Sequence, residues 1–305
     1  MKLLSHLTYI DVVAKKGSIR KAAMSLNITS TALNRRILAL EEEIGSPLFE
    51  RLPNGVRLNT AGELLIEHIR KSISDLSRVT SKISDLSGIR AGHVTIAAGA
   101  EVVGTFLPHH MARYRKDFPD VSFEILRRAP EEAMKSLRTF EADFALIFGP
   151  VPPSDYQILL SVDLPVMVAM GAGHPLAQQA EVSFYDCANY PAILPADGSG
   201  LYDLLIATQR QKGLALREAI ISESFELMAQ YTAEEEAISF LLAFEEAKNT
   251  GTYRNLALRP LKASDAINGR LHIVQQKGRV LSVAAAKFAE QITQHISKAM
   301  PDSIY

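Results

Sequence analysis

Between Thr29 and Gly45 the chain crowds Ser30, Thr31, Asn34, Arg35 and Arg36 into two helical turns, five side chains able to hydrogen-bond a base edge or a phosphate. Asn pairs bidentately with adenine and Arg with guanine, and a helix laid in the major groove presents its amino-terminal residues to the bases. The opposite face, Ala32, Leu33, Ile37, Leu40 and Ile44, is apolar at helical spacing and is expected to point inward. Glu41, Glu42 and Glu43 follow and would be repelled by phosphate, so the amino end is the reading end. The competing reading is a generic three-helix core with a solvated polar face.

The neighbouring segments supply what such a helix needs. Leu3, Leu4, Leu7, Ile10, Val13 and Ala14 recur at helical spacing and predict a first helix ending near Gly17. Ser18 is a candidate cap for a short second helix carrying Ala22, Ala23 and Leu26, whose small alanines allow close crossing. Asn27-Ile28 predicts a tight turn, Thr29 a cap for the third helix, and Gly45 its stop. Phe49-Glu50-Arg51-Leu52 and Val56-Arg57-Leu58 then flank Pro53-Asn54-Gly55, a hairpin signal. A hairpin after a helix-turn-helix is a wing, and Arg51 and Arg57 on its arms could reach phosphate or the minor groove.

Charge is split in the same sense. Residues 1–89 hold 13 Lys and Arg against 9 Asp and Glu, a net +4, while the remainder holds 20 against 25, a net −5. A basic head on an acidic body suits a chain whose head alone meets a polyanion. The single cysteine, Cys187, excludes an intramolecular disulfide, and no Cys/His cluster has metal-ligand spacing. No metal, cofactor or catalytic residue is expected, because phosphate loops and nucleophile elbows are missing too. The amino terminus does not read as a secretion signal, and no apolar run approaches the roughly 20 residues of a membrane span. A cytoplasmic location with no membrane partner is expected.

Thr60-x-x-Glu63 reads as a capping box opening a long helix. Ile66, Ile73 and Thr80 fall at one heptad position and Ile69, Leu76 and Ile83 at the other, a seam of about three heptads. Spacing does not distinguish a coiled coil from a helix packed on its own chain. Gly88-x-Arg90-x-Gly92 is expected to end the helix as a hinge. From Val94 onward, short apolar strands (94–98, 121–126, 143–148, 166–170, 192–194) alternate with helices (105–116, 131–140), predicting α/β units with mainly parallel sheets. Such sheets bind ligands beyond the carboxyl ends of their strands.

The run Gly17-Ser18-Ile19-Arg20-Lys21-Ala22-Ala23, with Ile28-Thr29, Ala32-Leu33, Arg35, Ile37, Leu40-Glu41, Gly45, Leu48-Phe49-Glu50-Arg51 and Leu58-x-Thr60-x-Gly62, resembles the signature of the LysR-type transcriptional regulators. Similar landmarks of that family's effector domain follow more weakly. They are Phe106-Leu107-Pro108, Phe118-Pro119-x-Val121, Ala142-Asp143-x-Ala145-Leu146-Ile147, Gly173-His174-Pro175-Leu176, Gly198-Ser199-Gly200 and Lys277-Gly278-Arg279-x-Leu281-Ser282. The resemblance implies an α plus α/β chain. Residues 1–59 would form a winged helix-turn-helix, 60–89 a linker and dimerisation helix, and 90–305 a periplasmic-binding-protein-like effector domain. That domain would hold two α/β subdomains, about 91–162 with 269–300 and about 163–268, with crossings near Ser161–Leu164 and Ala266–Arg270.

The partners it implies are a double-stranded operator of inverted-repeat character, a second copy bound through the linker helix, a homotetramer built on that dimer, and a small-molecule inducer in the cleft. The family commonly has Gln-Pro at Ser30-Thr31 and Ser at Asn34, so the scaffold is kept while the reading face is changed. By family position the cleft would be lined by Gly99, Ala100, Glu101, Arg128, Phe148 and Ser199. Hydroxyls common in the family are replaced here at Gly99 and Pro130, and they commonly help hold an inducer carboxylate. Glu101 then either meets a cationic or hydrogen-bond-donor group of the inducer or is a solvated acid at a helix start. At Ala233–Ile238 the family's Gly-x-Gly turn is missing, which suggests a helical or remodelled connection or a solvated acidic helix face. A regulator needing no small molecule remains open, and so, more remotely, does a cytoplasmic solute-binding protein.

Overall fold

The computed structural model of the chain describes residues 2–86, 91–152, 155–242, 244, 253–265 and 267–299. It divides into two compact units, one reaching to Ile83 and the other built on residues 84–138 and 142–305.

In the first unit, helices α1 (Lys2–Lys16), α2 (Ile19–Ser25) and α3 (Ser30–Ile44) are separated by two tight turns. Both turns have left-handed backbone, at Gly17 (φ 59°) and at Asn27 (φ 53°), a conformation that glycine and asparagine tolerate. The Ser18 Oγ accepts from the Lys21 amide and the Thr29 Oγ1 from the Ala32 amide, so each helix start has its cap. Gly45, at φ 76°, closes α3. Ile10, Val13, Ala22, Ala23, Leu33 and Ile37 form the core. Ile44 does not join them: it is exposed, lying in the last turn of α3 where the core has ended.

Strands β1 (Phe49–Leu52) and β2 (Gly55–Leu58) pair antiparallel around Pro53-Asn54. The Glu41 carboxylate accepts from the amides of Leu48 and Phe49, at 2.7 and 3.2 Å, and so anchors the wing to α3. Gly55 packs on the turn after α1, where a Cβ would meet the Gly17 carbonyl oxygen at 2.1 Å.

Helix α4 (Thr60–Leu86) starts one residue away from the expected cap. Asn59, not Thr60, is the capping residue: its Oδ1 accepts from the Gly62 amide at 2.8 Å. Gly62 lies under the wing strand, with a Cβ placed 2.1 Å from the Leu48 carbonyl oxygen. Gly62→Ala should therefore destabilise the head by about 1–3 kcal/mol through overpacking, read by chemical denaturation of the full chain.

Ile66 and Ile69, expected in an inter-chain seam, are buried in the head's own core, with Ile73 packed beside them. Arg70 reinforces this docking by donating to Asp11 of α1 at 2.7 Å. Farther along, Leu76 is half-buried while Val79 and Ile83 are exposed. One apolar stripe thus serves two surfaces, its first half inside the head and its second half facing outward.

The second unit contains one continuous sheet. In its first half, β3 (Gly92–Ala98) is followed by α5 (Ala100–Val103), α6 (Leu107–Asp117), β4 (Val121–Arg127), α7 (Pro130–Arg138) and β5 (Phe144–Phe148). The long β6 (Tyr156–Gly171) leads into the second half, with α8 (Phe184–Cys187), β7 (Pro191–Pro195), α9 (Gly200–Lys212), β8 (Arg217–Ser222), α10 (Phe225–Glu234), β9 (Ile238–Leu242) and β10 (Leu256–Pro260). Then β11 (Asn268–Gln276) and α11 (Val283–Ala299) return to the first half, where α11 packs on β3.

The strand order is β4-β3-β5-β11-β6-β9-β7-β8, with β10 beside β6. The expectation of mainly parallel sheets is corrected here. Strands β3, β4 and β5 are parallel, as are β7, β8 and β9, but the centre is antiparallel: β11 against β5 and β6, and β6 against β9 and β10. The chain crosses along β6 and returns along β11, and two such passes side by side must run in opposite directions. β6 pairs with β11 up to Pro165 and with β9 from Val166. Glu235 and Glu236 form a short exposed bend between α10 and β9 in place of the glycine turn. The hinge expected around Gly88 and Arg90 lies outside the described residues, and Gly92 opens β3.

Candidate functional site

Two sites emerge, one in each unit. On the head, Ser30, Thr31, Arg35 and Arg36 are exposed and Asn34 is half-buried, all in the first two turns of α3. Residues 30 and 34, and 31 and 35, stack one turn apart and make a single polar surface. Two of the arginines are held within the head. The Arg36 guanidinium lies 4.8 Å from the centre of the Tyr9 ring, a cation–π contact with α1. Arg51 donates to Asn34 Oδ1 at 3.1 Å, which brings the wing and the reading helix together. Arg57 pairs with Glu50 across the hairpin at 2.6 Å, both exposed, an interaction that water weakens and a phosphate can replace. Arg20 and Lys21, in the first turn of α2, are exposed cations on the same head. Their spacing in the sequence marks them only as part of the family signature, and it is their exposure that makes them candidates for phosphate.

The second site is a cavity of about 230 Å3 at the carboxyl ends of β3, β4, β7 and β8. Its walls include Gly99, Ala100 and Glu101 from the β3 loop, Arg127 to Pro130 from the β4 loop, Asp197 to Ser199 from the β7 loop, and Ser222 and Glu223 after β8. Of the expected residues, Phe148 is not among these. It is buried, with its ring under Gly269 and its carbonyl under Gly200, where added Cβ atoms would lie 1.9 and 1.8 Å away. Ser199 caps α9, its Oγ accepting from the Tyr202 amide at 3.0 Å. Arg127 reaches across the cavity rim to Glu223 at 3.1 Å, a pairing of residues distant in sequence.

Glu101 is only 3% exposed, so it is not a solvated acid. Neither carboxyl oxygen has a hydrogen-bond partner of good geometry. Burial pushes the carboxyl up to about 7, with the charge of Asp203 adding to the rise, while the amides of Glu101 and Gly200 pull it partly back.

A winged helix-turn-helix with an exposed polar face, followed by an α/β unit with a polar cavity at the ends of its strands, defines a class of DNA-binding regulator. Comparison with known proteins carries this to a family. Residues 4–63 match the bacterial regulatory helix-turn-helix of the lysR family, and residues 87–297 match the LysR substrate binding domain. The chain belongs to the LysR family of DNA-binding transcription regulators. It is 28% identical over 285 residues to the uncharacterized HTH-type transcriptional regulator YbhD of Escherichia coli K12, covering 93% of this chain and 89% of that one. It is 25% identical over 299 residues to the transcriptional dual regulator GltC of Bacillus subtilis, covering 97% and 98%. In fold it is similar to a full-length OxyR variant from Pseudomonas aeruginosa, with a TM-score of 0.70 at 20% identity over 96% of this chain and 94% of that one. It is likewise similar to full-length CbnR complexed with its target DNA, with a TM-score of 0.66 at 17% identity over 95% and 99%. Among the described residues, no helix is long and apolar enough to cross a membrane.

Proposed function

We propose that the chain reads an inverted-repeat operator as a homodimer, and as a tetramer built from it, in response to a small molecule held in the cleft. The division of labour runs along the chain: residues 1–59 bind DNA, 60–89 link and dimerise, and 90–305 sense the ligand. Ser30, Thr31, Asn34 and Arg35 contact base edges, while Arg51, Arg57 and Arg36 contact phosphate or the wing-side groove. The observation that carries this reading is the exposed polar face at the amino end of α3, with Arg51 of the wing hydrogen-bonded to it at Asn34. The cleft is polar and holds space for a ligand of a few carbon atoms, which favours an effector-modulated regulator over one that needs none. The chain acts in the cytoplasm, needs no cofactor and catalyses no reaction.

The test is binding of the full chain to DNA upstream of its own gene at several salt concentrations. Specific affinity about 10³-fold or more above that for random sequence, falling steeply with salt, is expected. Equal affinity for random sequence at every salt concentration would reject this operator assignment. Dimerisation has its own check. Leu76, Val79 and Ile83 lie on one face of α4, and Val79 and Ile83 are exposed. Val79→Asp should raise the dimer dissociation constant by about 10-fold or more, as expected for a buried charge costing a kcal/mol or more, measured by analytical ultracentrifugation.

A further inference from the structure

The cleft contains one group that its walls do not explain. Glu101 follows β3, yet its side chain turns back over the backbone of Gly99: a Cβ at position 99 would lie 2.6 to 2.7 Å from the carboxyl atoms. The same carboxyl is also within reach of the Gly200 amide, the first of α9, from the other half of the unit, and of its own amide. Ser199 already satisfies the Tyr202 amide of that helix, so the Gly200 end is what remains for an acceptor. Both carboxyl oxygens are shut off from solvent and have no hydrogen bond of good geometry. A buried carboxyl at the amino end of a 13-residue helix is where a bound acid would sit.

We propose that Glu101 is a tethered occupant of the cleft: its carboxyl fills an acid-binding subsite at the amino end of α9, which the resting chain thereby closes to a free small carboxylic acid. Gly99 and Glu101 are then one feature. The absence of a side chain at 99 makes the room, and the side chain at 101 fills it. The inference rests on the cavity being the ligand cleft, and it restricts that ligand: its contact with the protein lies along the outer walls, at Arg128, Asp197 and Ser222, and not at the innermost subsite.

Glu101→Ala removes the acid end of the side chain and leaves space for acetate. In the full chain, acetate should raise the melting temperature of Glu101→Ala saturably, by several degrees, against chloride at equal ionic strength, and should not do so for wild type. Gly99→Ala reaches the same state by another route, since its Cβ expels the Glu101 carboxyl, and it should acquire the same response. Glu101→Gln keeps the subsite filled and should remain unresponsive. An equal acetate response in wild type and Glu101→Ala, or none in either opened variant, would overturn the proposal.

The wild-type chain provides a measurement that does not depend on either variant folding. The Glu101 carboxyl carbon, assigned by its loss in Glu101→Gln, should titrate near neutrality by ¹³C NMR and be unmoved by acetate. A carboxyl resonance that moves as acetate is added, as a displaced side chain's would, would equally overturn the proposal. Operator affinity measured alongside separates the two readings. Acetate bound in Glu101→Ala with no effect on DNA binding would count against the cleft as the effector site while supporting the filled subsite.

Discussion

Asp143→Ala is expected to lower the stability of the second unit by about 3–5 kcal/mol, the typical cost of leaving a buried charge without its partner. Asp143 sits at the entry to β5, where its Oδ2 accepts from the Thr95 amide at 2.9 Å and its Oδ1 meets the Arg279 guanidinium at 2.6 Å. The Arg279 side chain is 5% exposed and also donates to the Ala142 carbonyl. Burial pushes the Asp143 carboxyl up and Arg279 draws it back, so the pair is held together at a desolvation cost to both charges. These bonds tie the segment after β11 to β3, the first strand of the second unit. Equilibrium denaturation of the full chain gives the value. A double variant, Asp143→Leu with Arg279→Met, should recover part of the loss because it leaves no unpaired charge. A single variant within 1 kcal/mol of wild type would mean that the site rehydrates when opened.

Arg35→Ala should weaken binding at the specific operator by about 10- to 100-fold, the value of one bidentate pairing with a base, with little change on random DNA. Arg35 is exposed one turn beyond Thr31 on the polar face of α3, whereas Arg36 beside it is drawn onto Tyr9. Arg57→Ala is the contrasting case: with the role proposed above, taking this exposed cation off the wing should weaken all sequences alike and reduce the salt slope by about 1. Titrating both variants on specific and random duplexes at two salt concentrations distinguishes them. If Arg35→Ala weakened binding equally on both duplexes, Arg35 would be a phosphate ligand and the reading face would centre on Asn34.

The head was largely legible because its signals are local. Ser18, Thr29, Asn27 and Gly45 each announce a backbone conformation within a few residues, and each stands where such a signal places it. The cap of α4 slipped by one because Asn59 and Thr60 are both short acceptors. Only geometry shows that the Asn59 carboxamide reaches the Gly62 amide. The heptad stripe was legible as a stripe, but periodicity does not say what covers it, and Ile66 and Ile69 turn out to be covered by their own head.

The second unit was harder to read for a different reason. The apolar stretch 166–170 was visible, whereas the first half of β6 and most of β11 mix polar and apolar residues and are strands because they pair with each other. In the sequence Glu101 reads as either a ligand contact or a solvated acid. The surfaces that bury it, Gly99 and Gly200, are about a hundred positions apart, a proximity no local pattern encodes.

The pairing of β6 with β11 also governs how the two halves of the second unit can move. They are joined by a two-stranded ribbon rather than by loose loops, and the only residue there without an amide hydrogen is Pro165, at the point where β6 changes partner. A ribbon held by cross-strand hydrogen bonds resists bending open but yields to torsion about its length. Of the two motions, twisting of one half against the other about this ribbon is the one that its hydrogen bonds oppose least.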